Sequence, residues 1–163
     1  MSQKSDSSSL MPRDVLPDHV IGFIEALHSL GGQADPMHIG DIVEESIELL
    51  PKVIDMAELL GFVKYENGYL RITNAGKMIA EANPKKLRTL LREIVLKNRI
   101  EPLHEIYEAL KRRKSIPIDE FIQIVEKHYK RINNDIIRNV LIWGTYLRLF
   151  KLSEDDTQVI LIS

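Results

Sequence analysis

Residues 62–73 read FVKYENGYLRIT, and residues 150–163 read FKLSEDDTQVILIS. In the first stretch alternating residues run into Asn67-Gly68, a pair suited to a tight two-residue turn, and then alternate again. An isolated two-stranded ribbon does not hold itself together in water. It needs an apolar face supplied by the rest of the chain, and what precedes it is helical in pattern. From Pro17, apolar residues recur at Val20, Ile21, Phe23, Ile24, Leu27 and Leu30, and Gly31-Gly32 supplies a stop. Asp35 before Pro36 reads as an N-cap followed by a proline in the first turn. It opens a short second helix through Met37, Ile39, Ile42 and Val43. Ser46 can open a third, with Leu49, Leu50, Val53, Ile54, Ala57 and Leu60 inward. Pro51 either lies in its first turn or kinks it, and Gly61 ends it.

The same order then returns. Glu25-Ala26-Leu27 is echoed by Glu108-Ala109-Leu110, Ile42-Val43-Glu44 by Ile124-Val125-Glu126, and the ribbon from Phe62 by the one from Phe150, at offsets of 83, 82 and 88. Near-constant offsets predict a unit written twice. Three short helices leave one flank of their core open, and a hairpin can cover it, which is the order of a winged helix. The expected fold is α+β and mostly helical: two tandem winged-helix-like units, 16–83 and 100–163, joined by a helix over 84–99. Thr73 or Asn74 is the expected cap of the helix before Pro84. The serine-rich residues 1–15 are expected to be a disordered tail.

The chain has 163 residues and no cysteine, which excludes disulfides, thiolate zinc sites and cysteine nucleophiles. No apolar run approaches ~18 residues, and the N-terminus lacks the apolar centre of a signal peptide, so a cytoplasmic location is expected with no membrane insertion. Charge is uneven. Residues 1–84 carry 6 Lys/Arg against 13 Asp/Glu, residues 85–131 carry 13 against 7, and residues 132–163 carry 3 against 4. Such asymmetry marks either an anionic partner for the basic stretch, mutual attraction of the two halves, or solvated helix faces.

Catalytic motifs are missing. The five histidines form no H-E-x-x-H; His104 and Glu108 share a helix face but supply half a metal site at most. His28 and His38 flank the first inter-helix turn and could approach each other, with no third ligand in view. Adjacent carboxylates such as Glu44-Glu45 and Asp155-Asp156 point apart rather than into a cleft. There is no G-x-S-x-G elbow. The chain is therefore expected to be no enzyme, with no cofactor, no metal and no small-molecule substrate.

Helix three of the first unit leaves Glu48, Lys52, Asp55 and Glu58 facing out, an acidic face with Lys52 expected to pair with Glu48 and Asp55. Duplex DNA carries about one negative charge per ~1.7 Å, so this face suits it poorly. The second unit differs. Its third helix begins near Asn133, with Ile136, Ile137, Val140, Leu141 and Leu147 inward, and Asn134, Arg138, Asn139 and Thr145 outward. Lys127, Lys130 and Arg131 precede it as phosphate-gripping residues. These six, Lys127, Lys130, Arg131, Asn134, Arg138 and Asn139, are the candidate nucleic-acid contacts of an alternative reading as a DNA-binding regulator. The acidic wing LSEDDTQ opposes that reading, and the basic run at 111–114 also suits a helix C-terminus. Trp143, Tyr146 and Phe150 read as the seam between the second hairpin and its helices, with a partner-binding aromatic patch as the alternative.

The stretches LHSLGG (27–32), AELLGF (57–62), ITNAG (72–76), PLHEIYEAL (102–110) and WGTYLRLF (143–150) together resemble the AAA-associated C-terminal domain, over roughly residues 16–162. That domain often follows the cassette ATPase of nitrate/sulfonate/taurine-type ABC transporters. No phosphate-binding loop is present: Gly76-Lys77 is followed by Met78, and Arg71 stands where the first glycine belongs. The resemblance therefore implies a stand-alone, non-catalytic accessory module, regulatory in role, whose partner is an ABC-type ATPase or a second copy of itself. It supplies no functional residues to carry over.

Overall fold

In the computed structural model the residues described are 9–42 and 48–162. They form, in order, α1 (Pro17–Ser29), β1 (Gln33–Ala34), α2 (Pro36–Ile42), α3 (Leu50–Leu59), β2 (Val63–Glu66), β3 (Tyr69–Ile72), α4 (Asn74–Glu81), α5 (Pro84–Lys97), α6 (Leu103–Arg113), β4 (Ser115–Pro117), α7 (Ile118–His128), α8 (Asn134–Tyr146), β5 (Phe150–Leu152) and β6 (Gln158–Leu161). The described residues are mostly helical with two small antiparallel sheets, ordered β1-β3-β2 and β4-β6-β5. The described residues fall into two compact units, 12–90 and 9–11 together with 91–162, and the division lies inside α5, after Leu90. The expected third-helix start at Ser46, and Val43, lie outside the described residues.

In the unit 12–90, Asp35 caps α2 by accepting the Met37 N–H at 2.9 Å. Pro51 sits in the first turn of α3, where its missing N–H costs nothing. Asn67 and Gly68 have φ of 55° and 84°, the doubly left-handed turn that closes a two-residue hairpin. Its register pairs Val63 with Ile72 and Glu66 with Tyr69. Val63, Leu70 and Ile72 face inward, while Tyr65 and Tyr69 stay exposed. The ribbon thus covers a core made by Phe23, Ile24, Leu27, Ile39, Met56 and Phe62. Each such large apolar side chain contributes about 1.5–3 kcal/mol by leaving water.

The second unit repeats this order. Phe62 donates its N–H to Ala57 O at 2.9 Å, and Leu149, eighty-seven positions on, donates to Gly144 O at 2.9 Å. Ile72 N–H reaches Gly32 O at 2.8 Å, and Leu161 N–H reaches Lys114 O at 2.9 Å. The left-handed residue that ends the third helix is Gly61 in one unit and Arg148 in the other. The core gathers Ile106, Phe121, Trp143, Phe150 and Val159. Phe121 meets Phe150 edge-on with centroids 5.9 Å apart.

Two expectations change. Each hairpin carries a third, short strand, β1 or β4, contributed by the segment after its first helix. Residues 9–15 are not a tail. Glu101 N–H donates to Ser9 O at 2.7 Å, Met11 N–H donates to Glu101 O at 2.9 Å, and Met11 and Val15 are buried. Composition read residues 1–15 as polar because five serines precede Met11 and Val15, which find buried sites in the fold. Residues 1–8 lie outside the described ones.

Candidate interaction surface

α3 buries Val53, Ile54, Met56 and Ala57, so Asp55 and Glu58 point outward. β2 runs beside this face and presents Tyr65, half of whose surface is exposed. Two of the three groups feel the charges beside them. Partial burial and then the Asp55 charge push the Glu58 carboxyl up. Partial burial, then Glu58, then Asp55, raise the Tyr65 phenol. Lys52 does not relieve this face: its ammonium binds Asp14 at 2.9 Å, rather than Glu48 or Asp55 as expected. The sequence-based pairing considered only neighbours on the helix, whereas Asp14 lies in the segment before α1.

Eighty-seven positions later, Asp55, Glu58 and Tyr65 correspond to Ile142, Thr145 and Leu152. There the outer face of α8 and β5 forms a shallow groove of about 340 Å³ lined by Arg138, Leu141, Ile142, Thr145, Tyr146 and Leu152. Its lining is mostly apolar, and Ile142 is 38% exposed. The same place in the two units is therefore acidic in one and apolar in the other.

The six candidate nucleic-acid contacts are not brought together as one basic surface. Lys127 forms an ion pair with Glu105. Partial burial pushes the Glu105 carboxyl up, but hydrogen bonds and charge from Lys127 and His128 outweigh it and hold the carboxyl below its ordinary range. Lys130, Arg131 and Asn134 are exposed around the start of α8, which Asn133 caps by accepting the Ile136 N–H at 3.0 Å. Arg138 is exposed and lies 3.6 Å from Asp135. Asn139, expected to face out, is buried, at 5% exposure. Its spacing from Ile136 and Trp143 puts it on the inner stripe, which is rotated from the expected one so that Ile137 and Leu141 are only half-buried.

The basic run at 111–114 is also partly neutralised from within. Lys111 pairs with Glu108 at 3.2 Å and lies over the Tyr107 ring, and Arg113 pairs with Glu120. His28 meets Glu81 at 3.3 Å, not His38. His104 sits between Glu101, at 3.4 Å, and Glu108, at 3.7 Å. In the second hairpin Asp155 accepts from Ser153 Oγ, Thr157 Oγ1 and Thr157 N–H, which holds its carboxyl below the ordinary range. Trp143 and Phe150 are fully buried, so the seam reading holds for them, while Tyr146 lines the groove. Sequence reasoning missed the groove because it counted Leu141 as core. The signal available was Ile142, an apolar residue on the outward face of an otherwise polar arc.

The described residues thus repeat one order of elements, with an acidic outer face on the third helix of one unit and an apolar one in the other. A family model described as the C-terminal AAA-associated domain matches residues 37–153, and the chain belongs to that family. The family is a non-catalytic accessory domain of ABC-transporter ATPases, so the chain is not an enzyme. No curated protein and no solved structure matches the chain. Among the described residues no helix is long and apolar enough to cross a membrane.

Proposed function

We propose that this protein is a cytoplasmic regulatory module of two winged-helix units, 16–83 and 100–163, bridged by the helix over 84–99, that docks on an ABC-type ATPase of the nitrate/sulfonate class. The helix order with a three-stranded sheet in each unit supports the winged-helix reading. The observation that carries the docking reading is the chemistry of the third-helix faces. Asp55 and Glu58 with Tyr65 in one unit, and Ile142 with Leu152 in the other, are unsuited to phosphate but suited to a protein surface with basic and apolar patches. Regulation then requires that the module bind two states of the ATPase with different affinity.

The test is titration of the chain onto the purified cassette ATPase, with hydrolysis measured in parallel. Glu58→Lys and Ile142→Glu should each weaken binding by about tenfold or more, equivalent to ~1.4 kcal/mol. Wild-type binding by both variants would overturn the reading. Self-association by the same faces is the competing outcome, read by sedimentation. The exposure of Lys130, Arg131 and Asn134 favours a second reading, DNA binding by the unit 100–163. That reading requires a gel shift that weakens steeply with salt and is lost in Arg131→Ala with Arg138→Ala.

A further inference from the structure

Away from both third-helix faces, the start of α6 and the end of α7 bring metal-ligating side chains together. Glu105 Oε1 lies 2.8 Å from His128 Nε2. A carboxylate oxygen of Glu101 completes a set of three ligand atoms, all within 4.8 Å of one another. The side chains are 21%, 31% and 21% exposed for Glu101, Glu105 and His128, so the set is neither sealed nor splayed into solvent.

Glu101 and Glu105 are each held by groups other than the proposed ligand atoms, and the residue after His128 is anchored. The Glu101 backbone is fixed on both sides by Ser9 and Met11. Its side chain accepts the Glu105 N–H at 2.9 Å on one oxygen and faces His104 Nδ1 at 3.4 Å on the other. The Lys127 ammonium binds Glu105 Oε2, which leaves Oε1 turned to His128. Tyr129, next to His128, donates its hydroxyl to Met11 O at 2.7 Å. Such outer contacts are what orient ligands in metal sites.

We propose that Glu101, Glu105 and His128 form a binding site for a borderline divalent cation, with Zn²⁺ as the best match. One imidazole nitrogen with two carboxylate oxygens suits zinc, whereas Mg²⁺ and Ca²⁺ favour all-oxygen shells. The two carboxylates supply two negative charges against the dication and the neighbouring Lys127 ammonium, and three protein ligands leave a fourth position for water. Lys127 and His104 act as positioning residues for Glu105 and Glu101. A bound ion ties α6 to α7 and, through Glu101, to residues 9–11.

The test is calorimetric titration of zinc chloride into the full chain, repeated with cobalt(II) chloride and visible absorption. One ion per chain is expected, with the ligand-field bands of a four-coordinate nitrogen/oxygen site. Glu101→Gln and His128→Ala should each weaken binding by at least about 10–100-fold. His38→Ala, an exposed histidine in the other unit, should leave binding unchanged. Should the variants fail to fold, the ¹⁵N resonances of the His128 ring in the wild-type chain decide the matter, since Nε2 must shift on zinc addition. Absence of saturable binding, equal binding by all variants, or an unmoved His128 ring overturns the proposal.

Discussion

Gly144 is the residue on which the second hairpin's seat depends. A methyl group there would stand 2.2 Å from the Phe150 ring, which is itself fully buried against Phe121. Gly144→Ala should therefore cost about 1–3 kcal/mol as overpacking, read as a lower denaturant midpoint with an unchanged slope. Gly76 is less forgiving. Its added methyl would meet the Phe62 carbonyl oxygen at 2.3 Å, a backbone atom that accepts the Thr73 N–H and cannot rotate away. At this scale the sequence was partly legible. Phe23, Leu27, Val53 and Leu60 announced their burial by helical spacing. Asn139 did not, because a polar side chain on an inner stripe is indistinguishable by type from one on the outer face. Glu105 and His128 are twenty-three positions apart on two helices, and no spacing rule links them before those helices pack.

Caps and turns are where single elements are decided. Thr73 Oγ1 accepts the Gly76 N–H at 3.1 Å and its hydroxyl donates to Gly61 O at 2.6 Å, joining the start of α4 to the end of α3. Thr73→Ala should lose about 1 kcal/mol, and Thr73→Ser should restore most of it, in equilibrium unfolding. The β5–β6 turn carries a pH dependence of known sign. Because the folded Asp155 carboxyl titrates below its unfolded value, its contribution is complete above an ordinary carboxylate pKa of about 3.9 and is lost as pH falls through the lower folded value. The acid-side fall in Tm should be shallower in Asp155→Asn than in the wild type, over the range below about pH 4. The hairpins themselves were legible from Asn67-Gly68 and from alternation on either side. Strands β1 and β4 were not, since two or three residues have no period to read. They exist because the left-handed residues at Gly32 and Lys114 turn the chain back alongside β3 and β6.

For the whole molecule, the duplicated order was legible because the repeat carries its own turn chemistry, while the contrast between its two outer faces was legible only for the acidic one. Two compact units with separate apolar centres should not unfold as one. Phe62→Ala and Trp143→Ala, each losing about 3–5 kcal/mol, are expected to lower different transitions in a calorimetric scan. The antiparallel strands and the left-handed stops, glycine in one unit and Lys114 and Arg148 in the other, fixed each unit locally, but the ownership of residues 9–11 could not be read from any local pattern. Those residues lie before 12–90 and pair with Glu101 beyond it. During synthesis, then, the ribosome delivers the opening piece of one unit, makes the other in full, and only afterwards supplies what the opening piece needs. The unit that includes residues 9–11 is therefore completed last, and a chain without those residues should keep 12–90 folded while the later portion loses its clasp.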